Sequence, residues 1–466
     1  MLIFLLATAC LIGGYAVYGL FVEKILGLNS KNKTPAQTMA DGVDFVPMKP
    51  GKIFLIQFLN IAGLGPVFGA ILGALYGPVC LFWIVLGSIF AGGVHDFLSG
   101  VISIRNKGCT MTVFVQKYFG KYFYPLFLIL LVLLLTLVGS IFAQTPAKLL
   151  SGMTTIPFWG WLMIIFGYYF LATLLPVDKI IGRFYPIFGA CLIVSTILLL
   201  CVLFMKGLDF YPDLHTLNQN PAHKPIFPLM FITIACGALS GFHATQSPMM
   251  ARCLTNEKNC RSIFYGAMIL EGFIALIWAT LGIAFYKGTV GLNAALGPTG
   301  DAGAVVSEIA HAFLGKFGGL LAVLSVIFLA ITTGDTALRS ARLSLADFLK
   351  ADQKNLLKRL ILSLVILGIA TGMALIDLNK IWLYFGWANQ LLAAIMLWVG
   401  ALYLHEQRKN EWIAILPALF ITAVCGTYLG YAPILLNLPL EKARILGVFL
   451  TLLIAGLYFY HCRKKG

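Results

Sequence analysis

The sequence predicts an all-α polytopic membrane protein, and three observations carry that expectation. Hydrophobic residues fill 60% of the 466 positions and charged residues only 11%, with a mean hydropathy of +0.92. Soluble domains carry about 25% charged residues, so most of this chain belongs in lipid. Apolar stretches of roughly 20 residues, long enough to cross a bilayer, recur between clusters of charge and turn residues. Two of them are interrupted in the middle by glycine-rich segments.

Cutting at charges and turn residues places thirteen spans near 2–22, 53–75, 78–100, 124–146, 158–175, 184–206, 227–250, 263–286, 317–338, 358–376, 380–404, 412–431 and 443–461. The first is apolar enough for a signal peptide. However, Met1-Leu2-Ile3 has no basic flank and no small-residue cleavage site follows, so it reads as a retained helix. The second is broken by Gly63-Leu64-Gly65-Pro66, and Gly65, Gly69, Gly73 and Gly77 repeat every four residues as a packing stripe. The third carries His95-Asp96 near its inner end. The seventh is broken by Gly237-Ala238-Leu239-Ser240-Gly241-Phe242-His243, and the eighth carries Glu271 near its middle. The loop Lys287–Lys316 contains a helix start at Gly300-Asp301-Ala302-Gly303, followed by an apolar run to Phe313, and is expected to fold back as a lid. The eleventh keeps Asn389-Gln390 in an otherwise apolar helix.

A helix in hydrocarbon cannot leave backbone groups unpaired, because each costs several kcal/mol. Breaks are tolerated where the freed groups line a cavity and bind something, and matched breaks in two halves point to a transporter's substrate site. Setting span 1 aside, spans 2–6 and 7–11 form two sets of five, each opening with its broken helix. Because five is odd, the second set enters the membrane inverted. This is the LeuT-type 5+5 inverted-repeat core. The expected division is 1–52 for the extra helix and its loop, 53–206 and 207–404 for the repeats, and 405–466 for two peripheral helices.

Charge distribution orients the chain. With the N-terminus outside and the C-terminus inside, 25 of the 33 Lys and Arg fall in inner loops, as the positive-inside rule requires. The net charge of +15 then meets anionic lipid of the cytoplasmic membrane, with no nucleic acid implied. The ten cysteines avoid the outer segments and form no C-x-x-C pair, so neither a disulfide framework nor a metal site is expected. No H-E-x-x-H, G-x-S-x-G or P-loop pattern occurs. The chain reads as no enzyme, with no cofactor.

Ionisable residues inside a membrane are functional candidates. Glu271 suits a proton relay, or an ion pair bridging helices. Asp335, within Thr332-Thr333-Gly334-Asp335, suits a hard cation bound through oxygen, or a simple pair with Arg339. Asp96 joins Glu271, Asp335, Thr332 and Thr333 as a coupling candidate, the alternative being a local pair with His95. His243, inside the second break, can donate to an anion or change charge near pH 6.5. With Asn60, Gly63, Gly65, Gly241, Gln246 and Gln390 it makes the expected substrate set. A half-helix starting at a break aims N–H groups at its ligand, for which a carboxylate is the natural partner.

The chain resembles the carbon starvation protein A family across nearly its whole length. The resemblance rests on Thr34-Pro35-Ala36 with Asp41-Gly42-Val43-Asp44-Phe45-Val46-Pro47, on Ile61-Ala62-Gly63-Leu64-Gly65-Pro66, on Val94-His95-Asp96-Phe97 and on Pro176 to Arg183. It continues through Ile234 to Pro248 with Ala251-Arg252, Phe264 to Glu271, Gly334 to Leu343, and Tyr384-Phe385-Gly386-Trp387-Ala388-Asn389-Gln390. It implies an ion-coupled transporter of short peptides or pyruvate made under carbon limitation, with H+ the first choice of driver. Leu64 and Leu338 stand where the family pattern carries Ala and Phe, and the chain is shorter than the enterobacterial members. The expected function is uptake of a small carboxylate-bearing nutrient by alternating access. The alternatives are a cation-coupled symporter for another solute, a metal transporter, a channel, and a membrane sensor without transport.

Overall fold

The computed structural model describes residues 1–42, 45–174, 177–211, 218–298, 300–351, 355–376 and 378–465, with side chains described for the same residues except 173–174, 177–186, 356, 378–381 and 465. Among these residues the chain is helical, without a β-strand. Val43 and Asp44 of the first motif, and the side chains of 176–183, lie outside the described residues. Nine described helices are long and apolar enough to cross a membrane, ten when one bent pair counts as a span. Each of the thirteen expected segments overlaps a helix: α1 Leu2–Leu26, α2 Pro50–Ala62 with α3 Gly65–Ala74, α4 Val79–Arg105, α5 Met111–Met153, α6 Phe158–Leu174, α7 Val177–Met205, the short run 226–233 with α8 His243–Ala251, α9 Glu257–Phe285, and α10 Thr289–Leu296 in the lid loop. After these come α11 Ala302–Phe348, α12 Leu356–Met373, α13 Leu378–Glu406, α14 Trp412–Tyr431 and α15 Leu440–Lys465.

Burial ranks the helices. In α9 and α13, 78% and 83% of the apolar window is buried, whereas α1 and α15 bury 22% each and ride on the outside. The central helix α9 packs against α1, α2, α3 and α4, and α11 runs along α5. The helix start expected in the loop 287–316 is present. Asp301 caps the start of α11 by accepting from the Ala304 N–H at 3.1 Å, and Gly315, at φ 68°, breaks that helix between lid and span. Asp301 also pairs with Lys148 on α5 at 2.7 Å.

Between α2 and α3 the chain bends by 55° at Gly63, whose φ of 48° and ψ of −151° suit glycine. The stripe is packing, as expected. Added side chains at Gly65, Gly69 and Gly73 would run into Cys236, the Thr233 carbonyl and Ile234, so the two broken helices cross directly on it. The second break starts earlier than expected. Ile234 already leaves the helix at φ −97°, ψ 54°, and His243 is the first residue of α8 rather than part of the break. Side chains on α4, α9 and α13 take over the freed backbone groups, and at the start of the break Trp83 Nε1 donates to the Ile234 carbonyl at 3.2 Å. Asp96 is also deeper than expected, because α4 continues through Ser99 to Arg105 before it ends. Asp335 is likewise well inside α11, which runs on to Phe348.

Candidate functional site

A line of four buried ionisable groups crosses the bundle beside the second break. His95 Nδ1 lies 2.8 Å from Asp96 Oδ1, and Asp96 Oδ2 lies 2.9 Å from His243 Nδ1. On its other side, His243 Nε2 stands 3.5 Å from Glu271 Oε2. Glu271 Oε1 accepts from the Gly237 N–H at 3.1 Å. The exposure of each group is 2% or less. Two carboxylates cannot stay ionised in such a place without partners, and the imidazoles supply them. Because His243 faces a carboxylate at each ring nitrogen, one proton gained or lost changes the charge of the whole set.

Local sequence brings these groups together. A π-helical turn at Gly87–Gly92 precedes Asp96 on α4. Gly92 and Gly93 lie so close to Ala238 and Tyr265 that a Cβ would not fit. Ser88 on the same turn donates to the Gly237 carbonyl at 3.2 Å, so both backbone groups of Gly237 are held. Gly237 itself has φ 92°, which only glycine takes easily.

Asn389 holds the far end of the break. Its Oδ1 accepts from the Phe242 N–H at 2.8 Å and its main-chain carbonyl accepts from the Gly241 N–H at 3.2 Å. Its Nδ2 donates to Ser240 Oγ at 3.0 Å. These N–H groups are therefore spent within the protein, and Gly241 serves a close approach to α13. Gln390 donates to the Phe231 carbonyl at 3.0 Å.

The first break differs. Asn60 is fully buried one turn before Gly63, and neither its Nδ2 nor its Oδ1 has a hydrogen-bond partner. Leaving a primary amide unpaired inside a protein costs about 1–3 kcal/mol for each group, which a ligand can repay. Gln246 on α8 donates to Thr245 at 2.7 Å and keeps Oε1 unpaired. A Cβ at Gly63 would stand 2.7 Å from the Phe142 ring and 3.4 Å from Thr333, so these two bound the bend. Thr333 Oγ1 reaches the Leu59 carbonyl at 3.2 Å and Leu329 at 3.0 Å. Thr332 donates to Leu329 at 2.9 Å. Gly65 packs on Cys236, and Asp335 is fully buried beside Gly334, over which the Tyr169 hydroxyl sits.

The expected coupling residues thus divide. Asp96 and Glu271 join His243, expected on the substrate side, at the second break, whereas Thr332, Thr333 and Asp335 lie on α11, where Thr333 touches the first. Sequence reasoning missed Ser88 and Phe142. The glycine cluster around Ser88 was a usable signal, but nothing local marks Phe142. Among the described residues no three His, Cys, Asp or Glu are arranged to hold a metal ion.

Comparison with known proteins agrees with this architecture. The chain is 14% identical to MhsT crystallised with L-phenylalanine, with a TM-score of 0.58 over 88% of this chain and 98% of that one. A manganese transporter of Eremococcus coleocola gives 12% identity and 0.54, over 92% and 99%. At such identities the likeness shows the fold alone, the LeuT-type fold. An uncharacterised membrane protein of Haemophilus influenzae is 45% identical over 64% of this chain and 94% of its own. The peptide transporter CstA of Escherichia coli K12 is 25% identical over 92% and 81%, and its pyruvate/proton symporter BtsT 24% over 89% and 79%. The family model described as carbon starvation protein CstA matches residues 1–160, 148–313 and 289–427, and the chain belongs to that family.

Proposed function

We propose that this protein is a secondary transporter that imports short peptides or pyruvate with protons, by alternating access. The observation that carries the reading is the buried line Asp96–His243–Glu271, which reaches the backbone of the second break while Asn60 waits unpaired beside the first. A proton arriving on Glu271 weakens its hold on the Gly237 N–H, and the loosened break lets the half-helices shift around the solute. Asn60 and the backbone at Gly63 bind the solute, with Gln246 beside them. The relatives named as peptide transporter and pyruvate/proton symporter support both solute classes.

The basic end of the bundle faces the cytoplasm in this reading, which puts the N-terminus outside in the cytoplasmic membrane and the lid loop at the outer surface. Residues 53–206 and 207–404 are the two repeats that rock against each other, with 1–52 and 405–466 peripheral. Uptake into proteoliposomes driven by an imposed pH gradient tests the coupling, and counterflow of labelled pyruvate against labelled alanyl-alanine tests the solute. If an inward proton gradient drives accumulation of neither, the reading fails.

One observation favours a second reading of the driver. Thr333 already contacts the freed Leu59 carbonyl, and Thr332 and Asp335 share its helix. Hydroxyl, carbonyl and carboxylate oxygens suit a hard cation such as Na+. Uptake that needs Na+ and ignores the proton gradient would select this driver.

A further inference from the structure

A cavity of about 630 Å³ opens at the end of the bundle that carries the lid loop. Tyr76, Asn220, Lys224, Thr233, Asn293 and Trp382 are among its walls. Small-molecule sites span about 300–1,000 Å³ and combine apolar walls with a few polar groups. Two further cavities, about 570 and 810 Å³, are grooves lined mostly by aliphatic and aromatic side chains of α1, α4, α9 and α14. Lys224 is the one charged residue among the described walls.

Two features make this more than an open funnel. The loop bearing Lys224 is pinned, since Asn218 Nδ2 donates to the Lys224 carbonyl at 2.9 Å and Asn220 Oδ1 accepts from the Ala222 N–H at 3.0 Å. His223 between them takes a left-handed φ of 51°. The backbone that carries the exposed Lys224 side chain is thereby held at the rim. The floor, in turn, leads to the first break. The ring of Trp382 lies 5.6 Å from that of Phe385, which lies 6.4 Å from Phe142, the ring that bounds Gly63.

We propose that this cavity is an entry subsite for the carboxylate of the solute, with Lys224 as its ion partner and the three rings as the partition from Asn60. The inference rests on the transport reading for its solute class. A carboxylate near the rim is attracted by the ammonium, and moves on once the rings part.

Labelling tests the subsite separately from transport. The outer segments expected from the sequence contain no cysteine, so an impermeant thiol reagent reads an Asn293→Cys variant above the wild-type background. Alanyl-alanine is expected to slow that labelling, and its C-terminal amide is not. Adding Lys224→Gln should weaken protection by about five-fold, the scale of one partly solvated ion pair. Lys224→Arg should retain it. Equal protection by acid and amide, no protection by either, or protection unchanged by Lys224→Gln, overturns the proposal. Protection with no uptake by the wild type sinks the transport reading and leaves the subsite standing.

Discussion

The two broken helices solve one physical problem in opposite ways. At the first, two residues turn the chain by 55°, and the nearest buried amide, Asn60, is left without a partner. The second stretches from Ile234 to Phe242, and Glu271, Ser88 and Asn389 take up its freed groups at Gly237, Gly241 and Phe242. An unpaired amide beside a break can meet a ligand, and a carboxylate that holds a break can respond to a proton. Under the proposed function, the first break therefore takes the solute and the second the coupling.

The largest effects should come from the charged line. Glu271→Gln keeps an oxygen that accepts from the Gly237 N–H but removes the ionisable group. Gradient-driven accumulation should fall to equilibration, while counterflow exchange persists. Accumulation at the wild-type level would break the comparison at its strongest point. Asp96→Ala strips His95 of its carboxylate and leaves His243 with Glu271 alone. Removing one partner of a buried pair costs about 3–5 kcal/mol, so the detergent-purified variant should show a clear drop in Tm.

Asn389→Ala should come next. It leaves the Phe242 N–H buried without its acceptor and removes the hold on Ser240, for about 2–3 kcal/mol of stability. The same truncation at Asn60 tests the opposite expectation. No hydrogen bond is lost within the protein, so Tm should hold or rise, while KM for the transported solute rises about ten-fold, or about 1.4 kcal/mol. If Asn60→Ala melts early and Asn389→Ala does not, the roles of the two breaks are reversed.

Much of this was legible in the sequence because lipid permits few solutions. Apolar length announced the helices, and Gly63, Pro66, Gly237 and Gly241 announced the breaks. Partnership was less legible. His95 and Asp96 are neighbours and look self-contained, yet Asp96 uses its second oxygen on His243, 147 residues away. Glu271 has no charge nearby on its own helix, and its partner His243 arrives from α8, which packs against α2 and α4. The start of α8 at His243 was also misplaced, because propensity does not register that Asn389, on another helix, satisfies the N–H of Phe242.

The smallest effect probes the contact between Thr333 on α11 and the first break. Thr333→Val keeps the shape of the side chain and removes the hydroxyl that reaches the Leu59 carbonyl. That hydroxyl also reaches Leu329 within its own helix, so the two acceptors share one donor. A shared bond contributes less than a full one, and the stability change should stay below about 1 kcal/mol. What separates the readings is ion dependence. If protons drive transport from the second break alone, Thr333→Val leaves the dependence on the pH gradient intact at every Na+ concentration. If the Leu59 carbonyl and the Thr333 hydroxyl instead hold a cation, the wild type is stimulated by Na+ and the variant is not. In that case both breaks couple to an ion, and only the first also meets the solute.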